Sequence, residues 1–159
     1  MPSARFEMAV TETVVLDASA ALDWFVPAGA GSYSSELRAA IRSGAIEPVT
    51  PFHFDLECAS VLTRWYRSKH ITRAALESAV NQLTVMHTRV LAIPATPAEL
   101  TTLALKYHLS PYDAMYFHIA VSEGVSLATL DGGLIEACRS HKVRHWQAAV
   151  KPRGQPRRA

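Results

Sequence analysis

Thr13-Val14-Val15-Leu16-Asp17-Ala18-Ser19-Ala20 is a short apolar run that ends on an acid and gives way at once to small residues. A run without polar alternation suits a strand buried on both faces. The same design returns late in the chain, where Val125-Ser126-Leu127-Ala128-Thr129-Leu130 leads into Asp131-Gly132-Gly133. Both acids therefore fall at the exit of a buried strand. Between the two runs, strands alternate with amphipathic helices, the pattern of a parallel α/β sheet covered on both faces.

After the first strand, a short helical stretch through Ala20, Leu22 and Phe25 is stopped by Pro27, and the Gly-rich segment from Ala28 to Ser32 follows. A second helix is expected from about Ser34 to Ser43, with Gly44 as its left-handed cap, and then a second strand from Ile46 to Thr50. Pro51 opens a long helix whose Leu56, Ala59, Leu62, Trp65 and Tyr66 form one apolar face. A helix after Thr72 carries Leu76, Val80 and Leu83 in register, and Arg89 to Ile93 reads as a third strand. Thr96, Pro97 and Glu99 make a capping box, and Ser110, Pro111 and Asp113 repeat the arrangement before a helix that runs to Gly124. Val125 to Leu130 is the fourth strand. A helix from Leu134 to about Ser140 and a short strand from Val143 to Gln147 complete the order. The expected fold is a three-layer α/β/α domain with a parallel, roughly five-stranded sheet over residues 13–148. A leader, residues 1–12, and a basic, Pro-rich tail, residues 149–159, flank it.

The chain has 159 residues, 49% of them hydrophobic, enough for one domain with a substantial core. No apolar run approaches the roughly 18 residues of a membrane span. The first residues lack a signal peptide's apolar stretch, so a cytoplasmic protein without a membrane partner is expected. Cys58 and Cys138 are the only cysteines and read as buried thiols. The formal charge of +2 is too small to announce nucleic-acid binding by itself. The tail, with Lys151, Arg153, Arg157 and Arg158, reads either as a solvated terminus or as an arm that strengthens contact with phosphates.

Four acids stand where a carboxylate is an odd choice for a fold. Asp17 and Asp131 end strands, Asp113 lies in the first turn of a helix, and Glu57 interrupts an otherwise apolar helix pattern. In an open parallel sheet, ligands bind beyond the carboxyl ends of the strands, where the strand order reverses. If the first and fourth strands are neighbours, these acids converge there. Two carboxylates about 4 Å apart repel by roughly 4 kcal/mol at an effective dielectric of 20, so such a cluster calls for a cation. An all-oxygen set favours Mg²⁺ or Mn²⁺ over zinc. One or two such ions can activate a water and clamp a phosphate, which suits hydrolysis of a phosphodiester.

Each acid also has a purely structural alternative. Asp113 would complete the capping box with Ser110, Asp131 would serve the turn before Gly132-Gly133, and Glu57 would be an exposed helix position. Cys138, His141 and His145 make a poor zinc set, because a helix-to-strand break separates the histidines. Walker-type phosphate loops and the Gly-x-Ser-x-Gly elbow are absent from the sequence. An aspartyl-nucleophile phosphatase would need a second acid two residues after Asp17, where Ser19 stands.

At these residues the chain resembles the PIN-domain family, and in size and motif order it is similar to VapC-type toxins of bacterial toxin–antitoxin pairs. The likeness lies in Val14 to Ala20, in Pro51 to Leu62 with Glu57, in Leu109-Ser110-Pro111-Tyr112-Asp113-Ala114-Met115-Tyr116, and in Leu127-Ala128-Thr129-Leu130-Asp131. The resemblance implies a parallel five-stranded sheet, Mg²⁺ or Mn²⁺ dependence, and endonucleolytic cleavage of RNA. It carries Asp17, Glu57, Asp113 and Asp131 into an acidic metal site, with Ser19 and Thr129 as hydroxyl partners. It further implies a homodimer and a cognate antitoxin that covers the site. A catalytically inactive RNA- or antitoxin-binding module on the same fold is the alternative. Ser60, where relatives often carry Asn, and Gly132-Gly133, in place of a polar or basic pair, depart from the pattern.

Overall fold

A computed structural model describes residues 11–148. The expected basic tail and residues 1–10 of the expected leader lie outside them.

Strand β1 (Glu12–Leu16) is the centre of the design, since Val14, Val15 and Leu16 are all essentially inaccessible. Helix α1 (Ala18–Leu22) starts two residues later and tightens into a single 3-10 turn, Asp23–Phe25, before Pro27. Helix α2 (Ser32–Arg42) ends at Ser43, with Gly44 at φ +76° turning the chain into β2 (Ile46–Thr50). Helices α3 (Phe54–Arg67) and α4 (Arg73–Val85) lead to β3 (Arg89–Val90). Helices α5 (Pro97–Tyr107) and α6 (Pro111–Glu123) lead to β4 (Ser126–Ala128), and α7 (Gly132–His141) follows.

The strands are parallel in the order β3-β2-β1-β4. The first two crossovers move one way from β1 and the third returns to its other side. Right-handed crossovers therefore put α1 to α4 on one face and α5 to α7 on the other. The result is a three-layer α/β/α domain whose strand order reverses between β1 and β4. Val15 pairs with Leu127 and Leu16 with Ala128, so Asp17 and Thr129 emerge side by side at the carboxyl edge.

Caps carry much of the local specification. Thr96 and Glu99 make the expected capping box, and Gly124 ends α6 in the left-handed conformation. The second expected capping box is only half made. Ser110 Oγ accepts from the Asp113 amide at 3.1 Å, but the Asp113 carboxylate takes the Ser110 hydroxyl rather than its backbone.

Four expectations need correction. The fifth strand is reduced to one bridge, His145 beside Leu127; its backbone bonds to the sheet are Arg144 and Trp146 to Leu127, and the buried Trp146 holds the segment instead of a ladder. The third strand stops at Val90 rather than Ile93, since the Leu91 amide makes the last bond to Thr50 and Pro94, without an amide proton, soon follows. The long helix begins at Phe54, not Pro51, because Pro51 to His53 form a turn closed by the Phe54 amide on the Pro51 carbonyl. Its buried face is Phe54, Cys58 and Leu62, with Val61 and Trp65 against the core. Leu56 and Tyr66, expected inside, are exposed, as is Val80 of α4, where Ala79 is buried in its place. With Phe54 docked on the core, its i+4 and i+8 partners Cys58 and Leu62 turn inward and Leu56 faces out.

Deleting a fully buried side chain costs about 2–5 kcal/mol, whereas exposed positions usually stay within about 0.5 kcal/mol. Leu62→Ala should therefore destabilise by about 2–5 kcal/mol in urea unfolding and Leu56→Ala by less than about 0.5 kcal/mol. Reversed magnitudes would mean that α3 packs in the other phase.

Candidate active site

The carboxyl edge of β1 and β4 is organised around Asp17, which is 4% exposed. Its Oδ2 accepts hydrogen bonds from the hydroxyls of Ser19 and, at 2.7 Å, Thr129. Each hydroxyl in turn accepts a backbone amide: Leu130 donates to Ser19 Oγ at 2.9 Å, and Asp131 to Thr129 Oγ1 at 2.9 Å. Two amide–hydroxyl relays thus converge on one carboxylate oxygen. Chains of this kind strengthen each other in a low-dielectric setting. Ser19 and Thr129 are the two hydroxyls that the family resemblance places beside the acids, and here both bond to Asp17.

Burial nevertheless dominates the titration of Asp17. Desolvation raises its pKa from 3.8 to about 6, the two hydroxyls oppose the shift, and the charges of Glu57 and Asp113 add to it. Glu57, in the first turn of α3, is raised in the same way, first by burial and then by Asp113, against the hydrogen bond from the Tyr116 hydroxyl. Asp17, Glu57 and Asp113 are thus within electrostatic reach of one another, although they come from β1, α3 and α6. Asp131 contributes to neither shift. Its Oδ1 accepts the Leu134 amide at 2.9 Å, so it is the N-cap of α7. Gly133 fits closely there: a Cβ would meet Asp131 Oδ1 at 3.1 Å and Leu109 Cδ2 at 3.3 Å, so a larger residue would push on the capping carboxylate.

One regularity links all four acids. Each has one oxygen tied: Asp17 Oδ2 to two hydroxyls, Glu57 Oε2 to Tyr116, Asp113 Oδ2 to Ser110 at 2.6 Å, and Asp131 Oδ1 to Leu134. The other oxygen of each accepts no hydrogen bond among the described residues. The protein therefore orients four carboxylates while leaving one acceptor on each for something else. Among the described residues, however, no three His, Cys, Asp or Glu side chains stand close enough together to hold one metal ion in common.

Two site residues were missed from sequence. His53, 4% exposed, sits just before α3 with Nε2 at 3.5 Å from Glu57 Oε2 and no hydrogen bond of its own there. Burial lowers its pKa, so at neutral pH the ring is uncharged beside the acid. Tyr116 is fully buried and donates its hydroxyl to Glu57. The signals were helical spacings: His53 lies four residues before Glu57, and Tyr116 three after Asp113, each pair on one helix face. The zinc alternative dissolves, since His141 Nδ1 meets the Tyr107 hydroxyl at 2.7 Å while His145 Nε2 meets the Thr129 carbonyl at 2.9 Å. Cys58 and Cys138 are buried and free, and burial pushes their thiols up to about 12 and about 11, as expected of inert thiols.

An α/β domain with an acidic cluster at its switch point is what the fold and the site define. Residues 14–140 match the PIN domain, and the chain belongs to that family. It is 31% identical over 131 residues to Ribonuclease VapC3 of Mycobacterium tuberculosis, in strains CDC 1551 / Oshkosh and ATCC 25618 / H37Rv, covering 79% of this chain and 88% of that protein. The crystal structure of PAE2754 from Pyrobaculum aerophilum superposes with a TM-score of 0.62 at 22% identity, covering 80% of this chain and 87% of that one. That likeness is one of fold. No helix among the described residues is long and apolar enough to cross a membrane.

The Asp17 shift carries a stability consequence. Between pH 4 and 6 the unfolded chain has ionised Asp17 while the folded chain still holds the proton, so stability falls as pH rises through that window. Relative to the parent, Asp17→Asn should therefore gain on the order of 3 kcal/mol between pH 4 and pH 7, read by denaturant unfolding at both. An equal effect of the substitution at the two pH values would show that Asp17 titrates normally.

Proposed function

We propose that the protein is a metal-dependent endoribonuclease of the VapC type, the toxin of a type II toxin–antitoxin pair, hydrolysing RNA phosphodiester bonds. The single observation that carries this is the buried Asp17, locked by Ser19 and Thr129 and pushed up in part by the charges of Glu57 and Asp113. A fold without a ligand to serve gains nothing from three mutually repelling acids at its switch point. Family membership and the likeness to a ribonuclease supply the substrate class.

The residues fit Mg²⁺ or Mn²⁺ in kind. Every donor is a carboxylate oxygen, each with one acceptor free, and a divalent cation would relieve the repulsion that raises Asp17 and Glu57. Mg²⁺ keeps several waters and takes only one or two carboxylates directly, so a set too loose to share an ion by itself is compatible with it. Asp17, Glu57 and Asp113 would hold it, with Asp131 at the margin. Bound there, the ion would supply a nucleophilic water at neutral pH and neutralise charge on the phosphate. The chain's own part is orientation. Ser19 and Thr129 fix Asp17, Tyr116 fixes Glu57, and Ser110 fixes Asp113, so that their free oxygens need not reorganise during the reaction. A homodimer, a cognate antitoxin that covers the cleft and a cytoplasmic setting complete the proposal.

The second reading is an inactive binding module, favoured by the use of Asp131 as a helix cap and by the spread of the other three acids. Cleavage separates the two. Incubated with total RNA and Mg²⁺ or Mn²⁺, the parent should cut, and Asp17→Asn or Asp113→Asn should lose about 100-fold or more, the scale of one lost electrostatic stabiliser. Millimolar Mg²⁺ or Mn²⁺ should also raise the melting temperature of the parent more than that of Asp17→Asn. RNA bound but left intact by the parent would leave only the binding module.

A further inference from the structure

Three carboxylates at the switch point repel phosphate oxygens, so a nucleic acid held against them must gain affinity from uncharged groups as well as from cations. Beside these acids stand two aromatic side chains that the core does not use. Phe52 is 74% exposed and Tyr112 is 62% exposed. Phe52 lies in the turn before α3, and Tyr112 in the first turn of α6, one residue before Asp113. His53 joins them: its ring centroid is 5.3 Å from Phe52 and 5.5 Å from Tyr112, edge-on to both, and 5.0 Å from Tyr116. The same imidazole faces Glu57 at 3.5 Å. Both exposed rings are therefore braced by a buried side chain that touches the acidic cluster itself, while their outer faces remain free.

We propose that Phe52 and Tyr112 form a base-stacking subsite that takes an unpaired base of single-stranded RNA beside the bond presented to Asp17, Glu57 and Asp113; this rests on the nuclease function proposed above. Stacking on an aromatic face is tolerant of sequence, is indifferent to the negative cleft, and requires a base freed from a helix. The subsite thus selects unpaired segments and supplies affinity that the carboxylates cannot. A protein partner is the competing occupant, because Leu56, 70% exposed, lies in the first turn of α3, four residues after Phe52. Two observations favour the base: the two rings come from different elements, the turn before α3 and the first turn of α6, instead of following α3, and both pack against His53, which faces Glu57.

The test uses the full chain carrying Asp17→Asn, so that RNA is bound without turnover, and a twelve-nucleotide oligouridylate with one central 2-aminopurine. Quenching of the 2-aminopurine is expected on binding. Phe52→Ala and Tyr112→Ala should each weaken Kd at least about 5-fold, the low end of what one lost stacking ring costs. Phe52→Trp should restore binding, and the same strand annealed to its complement should show no quenching. No binding by the parent, an unchanged Kd in both alanine variants, or a changed oligomeric state with RNA affinity intact would each overturn the subsite, the last by assigning the rings to a protein partner. Cleavage of total RNA by the chain with Asp17 is scored separately. Quenching without cleavage keeps the subsite and removes the nuclease, and cleavage with KM unchanged in the Phe52→Ala/Tyr112→Ala double variant does the reverse.

Discussion

Asp17 is held by two hydroxyls that are themselves held by two backbone amides, and this arrangement exists only because β1 and β4 are neighbours. Ser19 belongs to the helix after β1 and Thr129 to the end of β4, so the relays from Leu130 and Asp131 tie the loops of both strands to one carboxylate. The Asp17 amide on the Ala128 carbonyl at 2.9 Å closes the same seam from the backbone side. A charge taken almost fully out of water needs such partners, and here they offset only part of its desolvation. The unrelieved remainder is the property that the site can use.

From that seam the other acids take their places. Helix α3 brings Glu57 and α6 brings Asp113 from opposite faces of the sheet, and the Tyr116 hydroxyl joins the two layers at Glu57. The acids thus come from three crossovers and meet at the reversal of strand order, where an open α/β sheet has room for a ligand. Exposed Phe52 and Tyr112 border it because the turn before α3 and the first turn of α6 end at the same rim.

Much of this was legible in the sequence, and the reasons are local. The run Val14 to Leu16 has no polar residue to spare for a solvent face, so its burial and its parallel neighbours followed from composition alone. The caps at Thr96, Ser110 and Gly124 are short-range chemistry and stand at the expected residues. What depended on tertiary packing was read less well. Leu56 and Leu62 are equally apolar in sequence, and only the docking of Phe54 decides which of them turns inward. The segment from Val143 to Gln147 has strand-like residues, yet a strand is made by its partner, and Leu127 offers it a single bridge. Among the acids, Asp17 was legible as an anomaly because no cap or turn explains it, whereas Asp131 was ambiguous between a ligand and a turn residue, and in the fold it caps α7. His53 and Tyr116 escaped because a buried ring before or on a helix is ordinarily core, and their role appears only when α3 and α6 are set side by side.

The account stands on Asp17, Glu57 and Asp113 behaving as one electrostatic unit. A ¹³C carboxyl NMR titration of the parent and of Asp113→Asn measures this directly. Asp17 should titrate near 6 in the parent and shift downward when the Asp113 charge is removed. An Asp17 that titrates near its ordinary 3.8, and does so whether or not Asp113 carries charge, would contradict it.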